Sequence, residues 1–320
     1  MALALVVVAI GVVPCHGWQS PLLHHQQALR LTSIRGAREP LRAAATITSS
    51  SPSETSEGMS TVEMPGSAKS LWEVHKFGGA SLETAALYRQ VGDLLEAEAQ
   101  GRGDGAIPTM AVVSAMGGMT DRLIKVVESA LEDIEKAKTL LEAAVQRQID
   151  TVRELAPPDI ARPVEERIRN DARDIQSVML SLKLIRSVPA VTMELVTGFG
   201  EIWSAQTLFA YLKAKGLPCD WVDARDILVV QSELTGLGEK GSAATGGVRP
   251  LWAETSARMA KWWSEQGKSM GFHDLDYASH SPIIVVTGFV ATTQQGVPTT
   301  LKRSVKSQID HGLHTIPFRI

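Results

Sequence analysis

The sequence predicts an α/β chain, a three-layer α/β/α sandwich on a mainly parallel sheet. Three observations carry this expectation. Short β-branched runs alternate with longer stretches of helical apolar spacing across residues 71–303. The runs at 110–113 and 282–287 are apolar on successive residues, as strands buried on both faces are. Glycines follow several of the runs, where an open parallel sheet gathers ligands at its carboxyl ends.

The elements follow in order. Residues 73–77 read as a short strand ending in a glycine pair, and 81–98 as a helix with Ala85, Leu87, Val91, Leu94 and Leu95 on its apolar stripe. A loop over 102–108 leads to the buried strand at 110–113. Residues 121–186 hold no strand signal. Ile134, Ala137, Leu141, Ala144, Val145, Val152 and Leu155 form one helical stripe, and Val164, Ile168, Ile175, Val178 and Leu182 a second. Pro157 and Pro158 break the pattern, and Pro163 is placed in the first turn of the second helix. The expectation is a helical pair inserted beside the core, its charges a solvated face. A helix over 201–215 is ended by Gly216, and a strand at Trp221 and Val222 follows. A Gly- and Ser-rich loop (232–247), a helix (252–266) and the strand at 282–287 complete the pattern, with no internal repeat.

The first 70 residues stand apart. An apolar run at 2–13, too short to span a bilayer comfortably, precedes a stretch with Arg30, Arg35, Arg38 and Arg42, many hydroxyls and a single acid, Glu39. Residues 1–47 are therefore read as a targeting leader, either a bipartite leader to a plastid or a single mitochondrial or plastid leader. Residues 48–70 are read as a disordered linker. A net charge of −3 gives no basic face for nucleic acid, and no stable membrane span is expected in the mature chain. The two cysteines, Cys15 and Cys219, are far apart, which argues against a disulfide framework.

Four segments carry candidate chemistry. In Lys76-Phe77-Gly78-Gly79-Ala80-Ser81, glycines permit close backbone approach to a phosphate, and a lysine supplies charge for phosphoryl transfer. The lysine precedes the glycines, so this is not a Walker A loop; a tight turn with a surface lysine is the plainer alternative. Ser114 to Asp121 joins a strand to a helix that Thr120 or Asp121 could cap. Thr197-Gly198-Phe199-Gly200-Glu201 is read as opening a helix. Its Glu201 is then either a first-turn acid on the helix dipole or a carboxylate for a substrate ammonium. The segment from Thr287-Gly288-Phe289 through Lys302 and Arg303 reads as a loop ending in hydroxyls and bases. Arg303 could clamp a carboxylate there, or belong to a solvated basic loop.

In this order the four segments resemble the aspartate kinases of the amino-acid kinase superfamily, especially the kinase half of plant bifunctional aspartate kinase–homoserine dehydrogenase. The run Asp220-Trp221-Val222-Asp223-Ala224-Arg225 adds to the likeness, which covers about residues 73–303. The resemblance implies ATP-dependent phosphorylation of the L-aspartate β-carboxylate, the first step toward lysine, threonine and methionine. It implies Lys76 at the transferring phosphoryl group, with Phe77, Gly78 and Gly79 around the phosphates. Ser81 and Thr120 would contact substrate, Glu201 would hold its ammonium and Arg303 a carboxylate. Mg²⁺ would bridge phosphates, with no protein metal ligand assigned and His311 and His314 incidental. Family members of full length are expected to be homo-oligomers.

The sequence also departs from the family. Ser304-Val305-Lys306-Ser307 stands where a Gly-Ser-Asp segment is expected, with Ser307 at the aspartate position, and Ala80 replaces the usual hydroxyl residue. The expectation is an incomplete catalytic domain over 71–303 and a divergent tail over 304–320, without the effector domains. Two alternatives follow: a non-catalytic fragment binding aspartate or a full-length partner, and a kinase of glutamate or acetylglutamate.

Overall fold

The computed structural model describes residues 73–100, 108–232, 248–267 and 281–301. Strand β1 (Glu73–Phe77) passes through a 3-10 turn (Gly79–Leu82) into helix α1 (Ala85–Ala99), and β2 (Thr109–Val113) follows. Four long helices come next: α2 (Met119–Glu132), α3 (Ile134–Leu155), α4 (Pro158–Ile185) and α5 (Ala190–Ala214). Then come β3 (Cys219–Val222), the short helix α6 (Ala224–Ile227), β4 (Val229–Ser232) and β5 (Val248–Pro250). Helix α7 (Trp252–Trp262), a π turn (Trp263–Gly267), β6 (Ile283–Thr287), β7 (Val290–Thr293) and β8 (Pro298–Thr300) complete the order.

The main sheet runs β1-β2-β6-β3 with every pairing parallel. Successive side chains on a strand point to opposite faces, so each apolar run feeds two cores. Ala111, Val113, Ile283 and Val285 pack against the long helices, while Met110, Val112, Ile284 and Val286 pack against α6, α7 and a second sheet. Burial on both sides explains why these runs do not alternate in polarity. Each fully buried Val, Ile or Met side chain among them contributes about 1.5–3 kcal/mol.

The second sheet, β5-β4-β7-β8, is mixed in direction, and its outer pairings are antiparallel. It forms part of the layer opposite the long helices. The pattern of residues reads as a loop after Thr287. Instead β7 and β8 form a hairpin whose turn uses Gly296 at φ +79°. Only short three- and four-residue strands are involved, which a pattern search does not separate from loop.

The expected helical pair is α3 and α4, and the helix expected after Ser114–Asp121 is α2. Asp133 ends α2 and caps α3, accepting from the backbone N–H groups of Glu135 and Lys136 at 3.0 Å. Pro163 lies inside α4, not in its first turn, where Pro158 stands instead. The helix expected at 201 begins at Ala190, so Glu201 is buried in the middle of α5 and is not a first-turn acid. Cys219 is half-buried, and burial pushes its thiol up to about 12.

The expected targeting leader (1–47) and linker (48–70), all but Ser232 of the expected Gly- and Ser-rich loop (232–247), and residues 302–320 with Arg303, Ser307, His311 and His314 lie outside the described residues. Among the described residues no helix is long and apolar enough to cross a membrane.

Candidate active site

The carboxyl ends of β1, β2 and β6 lie flush, with Phe77 beside Val113 and Val113 beside Thr287. The backbone then steps across them. Ser114 N–H donates to the Phe77 carbonyl at 3.0 Å, and Gly288 N–H donates to the Val113 carbonyl at 2.7 Å. The Lys76–Ser81 loop, the Ser114–Gly118 loop and the Gly288 turn thus meet at one edge. The Thr197–Glu201 segment reaches the same edge from inside α5, not from the start of a helix as the sequence suggested.

Glycine decides how close these pieces come. A Cβ on Gly79 would fall 2.9 Å from the Ala115 carbonyl oxygen, whereas a Cβ on Gly78 would meet nothing within 4 Å. Gly200 lets α5 seat against the second loop, because a Cβ there would lie 3.0 Å from the Ala115 Cβ. The Gly-Phe-Gly-Glu glycines therefore serve close packing within a helix. Gly79→Ala is expected to destabilise the fold by about 1–3 kcal/mol through overpacking against backbone. Gly78→Ala is expected to stay within about 0.5 kcal/mol of the parent. Urea unfolding of both variants checks the pair; equal losses would show that the loop contact is not the constraint.

The close seating of α5 puts Glu201 against Ala115, whose backbone N–H donates to its carboxylate. Glu201 is 7% exposed, and its Oε2 has no hydrogen-bond partner. Burial pushes this carboxyl up to about 8, opposed by the Ala115 N–H and by the charge of Lys76. Lys76, half-buried, is held below the usual lysine range by burial, and the charge of Glu201 opposes that shift. Desolvation exceeds the mutual attraction on both partners. The site therefore sets a lysine beside an acid that burial keeps largely protonated below about pH 8, with acceptor capacity left over at Glu201.

The other expected residues fall as follows. Ser81 is half-buried in the 3-10 turn, its N–H donating to the Gly78 carbonyl at 3.0 Å. Thr120 and Asp121 do not cap α2. The cap is Gly118 in the left-handed region at φ +74°, and both residues lie exposed in the first turn. Arg303 lies outside the described residues. A cleft of about 620 Å³ opens beside the two loops, bordered by Ala80, Glu83, Gly117, Gly118, Lys125 and Arg147.

Sequence reasoning missed three contributors, Glu194, Asp171 and Arg147, and the backbone strain at Phe289. Glu194 of α5 accepts from the Thr299 hydroxyl at 2.9 Å and the Thr300 N–H at 3.2 Å, fixing β8 just before Lys302. Phe289 sits in the left-handed region at φ +61°, a strained conformation for a bulky residue. Backbone bonds on both sides hold it, Val290 N–H to the Gly288 carbonyl and Leu301 N–H to the Phe289 carbonyl. Asp171 of α4 accepts from the Trp203 indole at 2.9 Å, tying the inserted helices to α5; burial pushes its carboxyl up to about 6. Arg147 of α3 donates to loop carbonyls. An Asp133-type capping signal was available in the sequence; for the tertiary contacts no local signal exists.

The geometry can be set beside known proteins. The chain is 28% identical over 253 residues to the chloroplastic bifunctional aspartokinase/homoserine dehydrogenase 2 of Arabidopsis thaliana, covering 78% of this chain and 24% of that protein. It is 28% identical over 288 residues to the chloroplastic bifunctional enzyme of Daucus carota, covering 88% and 28%. This chain thus spans about a quarter of the length of these curated relatives. Among solved structures, Escherichia coli aspartokinase III in complex with lysine and aspartate matches with a TM-score of 0.52 at 19% identity, over 72% of this chain and 44% of that one. The same enzyme in complex with aspartate and ADP matches with a TM-score of 0.51 at 20% identity, over 71% and 43%. At these identities the structures speak for the fold. The sequence model of the amino acid kinase family matches residues 72–302, most of the chain, and the chain belongs to that family.

Proposed function

We propose that this chain is the kinase unit of an aspartate kinase, transferring the γ-phosphoryl group of ATP to the β-carboxylate of L-aspartate. The observation that carries the reading is the buried Glu201 carboxylate, with one oxygen unpartnered, facing the charge of Lys76 where the glycine loops converge. An amino-acid ammonium supplies the charge and the donors that Glu201 lacks. Lys76 stabilises the negative charge that spreads over the transferring phosphoryl oxygens. Phe77, Gly78 and Gly79 form the phosphate-facing loop, since Gly78 leaves open space and Gly79 allows the loop to close on its neighbour. Ser81 and Thr120 contact substrate, and Arg303 takes a substrate carboxylate in a bidentate pair. The curated relatives are aspartokinases by name, and a structural neighbour was solved with aspartate and ADP.

Among the described residues no group of three or more His, Cys, Asp or Glu side chains could hold a metal ion. Mg²⁺ would be held through the nucleotide and would offset the phosphate charge there. The chloroplastic relatives favour a plastid destination, in keeping with the Arg- and Ser-rich leader.

The test is capture of the acyl phosphate with hydroxylamine, using the purified chain, ATP, Mg²⁺ and a panel of acidic amino acids. Hydroxamate formation that requires both ATP and aspartate is the expected result. Hydroxamate from glutamate or acetylglutamate alone would reassign the substrate. Calorimetric binding of aspartate without turnover would favour the fragment reading, which the Ser304-Val305-Lys306-Ser307 departure supports.

A further inference from the structure

Arg147 belongs to the inserted helix α3, whose charges the sequence presents as a solvated face. Its half-buried guanidinium reaches between the two glycine loops instead. One nitrogen, Nη1, donates to the Gly117 carbonyl at 2.7 Å, and Nη2 donates to the Glu83 carbonyl at 3.2 Å. Glu83 ends the 3-10 turn that follows β1, and Gly117 precedes α2, so the two carbonyls lie on different loops. The loops touch at this point, since a Cβ on Gly117 would fall 2.9 Å from the Glu83 Cβ and 3.0 Å from the Gly79 carbonyl oxygen.

A guanidinium fork is planar and can hold two acceptors at once, which an ammonium on a flexible stem does less well. Fixing a carbonyl also fixes the following N–H, because the peptide unit is planar. Arg147 therefore sets the Gly117–Gly118 and Glu83–Thr84 peptide planes together. The next residue, Gln148, points inward and donates to the Thr207 hydroxyl of α5 at 2.6 Å. One turn of α3 thus grips both loops and the helix that presents Glu201.

We propose that Arg147 is a positioning residue that locks the two glycine loops in mutual register for binding the nucleotide phosphates. The phosphate part rests on the aspartate kinase reading above; the locking does not. The test compares Arg147→Ala, Arg147→Gln and Arg147→Lys with the parent by amide hydrogen exchange on the whole chain, together with hydroxamate kinetics. Exchange in the peptides over 78–84 and 114–119 is expected to rise about tenfold in the alanine and glutamine variants, the loss of a charge-assisted bond. Lysine should restore part of it, and β2, β6 and α5 should stay as protected as in the parent. The KM for ATP should rise about tenfold with a smaller change in kcat, as an effect on loop register rather than on chemistry predicts. Unchanged loop exchange would overturn the proposal, and so would a uniform rise across α2 and α3, which marks a packing role. Raised loop exchange with an unmoved KM would overturn its phosphate part. A parent without turnover sinks the aspartate kinase reading alone, and the exchange comparison still decides the locking.

Discussion

Lys76→Ala is expected to lower acyl-phosphate formation by about a thousandfold, the scale of losing a charge stabiliser in a transition state. Lys76 is half-buried beside an acid, so no solvent ion at this position replaces it readily. Burial holds its ammonium below the usual lysine range, so the parent's turnover should fall at alkaline pH earlier than a surface lysine would allow. The fold itself should survive, because removing the lysine lets Glu201 stay protonated and neutral. Hydroxamate assays at saturating ATP and aspartate give the number. Turnover within tenfold of the parent would remove Lys76 from the chemistry.

Glu201→Gln carries the second large effect, on binding and on stability in opposite directions. Aspartate affinity should fall by about a hundredfold, the scale of truncating one partner of a buried charge pair. The ligand-free fold, in contrast, should gain. The folded carboxyl titrates near 8, against 4.5 as the ordinary value. Between those pH values the folded state holds the proton more tightly than the unfolded state does. Stability therefore falls as pH rises through that window, and the penalty is complete above about 8. Glutamine carries no such penalty. A tenfold change in proton affinity is worth about 1.4 kcal/mol, so its advantage should reach a few kcal/mol by about pH 8.5 and nearly vanish near the ordinary carboxylate range. Urea midpoints of both proteins across that range check the sign, and a pH-independent difference would show that Glu201 is not the titrating group.

The centre of the sheet was legible because β2 and β6 are continuous apolar runs, and burial on both faces leaves that mark in the chain. The strand ends at Lys76–Gly79 and Ser114–Gly118 were legible because a glycine pair follows each short strand. The start of α5 was not. Val191, Thr192, Val196, Thr197, Gly198 and Gly200 are poor helix formers, so local propensity argues against the helix that burial imposes. Its residues from Val196 to Leu208 are almost all buried, which leaves no polar face and no period to detect. Glu201 stands out through its motif all the same, although its surroundings do not. Arg147 was invisible because its partners are backbone carbonyls, and any residue supplies those.

The contact between Glu194 and β8 has a consequence for which changes the chain can absorb. Glu194 and Glu201 stand seven positions apart on α5, close to two turns and about 10.5 Å along the axis. One end of that span is pinned to Thr299 and Thr300, and the other to Ala115. A substitution between them, away from Gly198 and Gly200, leaves the span intact. A single inserted or deleted residue rotates one carboxylate about 100° around the axis relative to the other, and both anchors cannot then be kept. Surface connections accept added length at small entropic cost. This stretch of helix is a fixed gauge, and its residue count, more than its composition, is what the two ends of the site share.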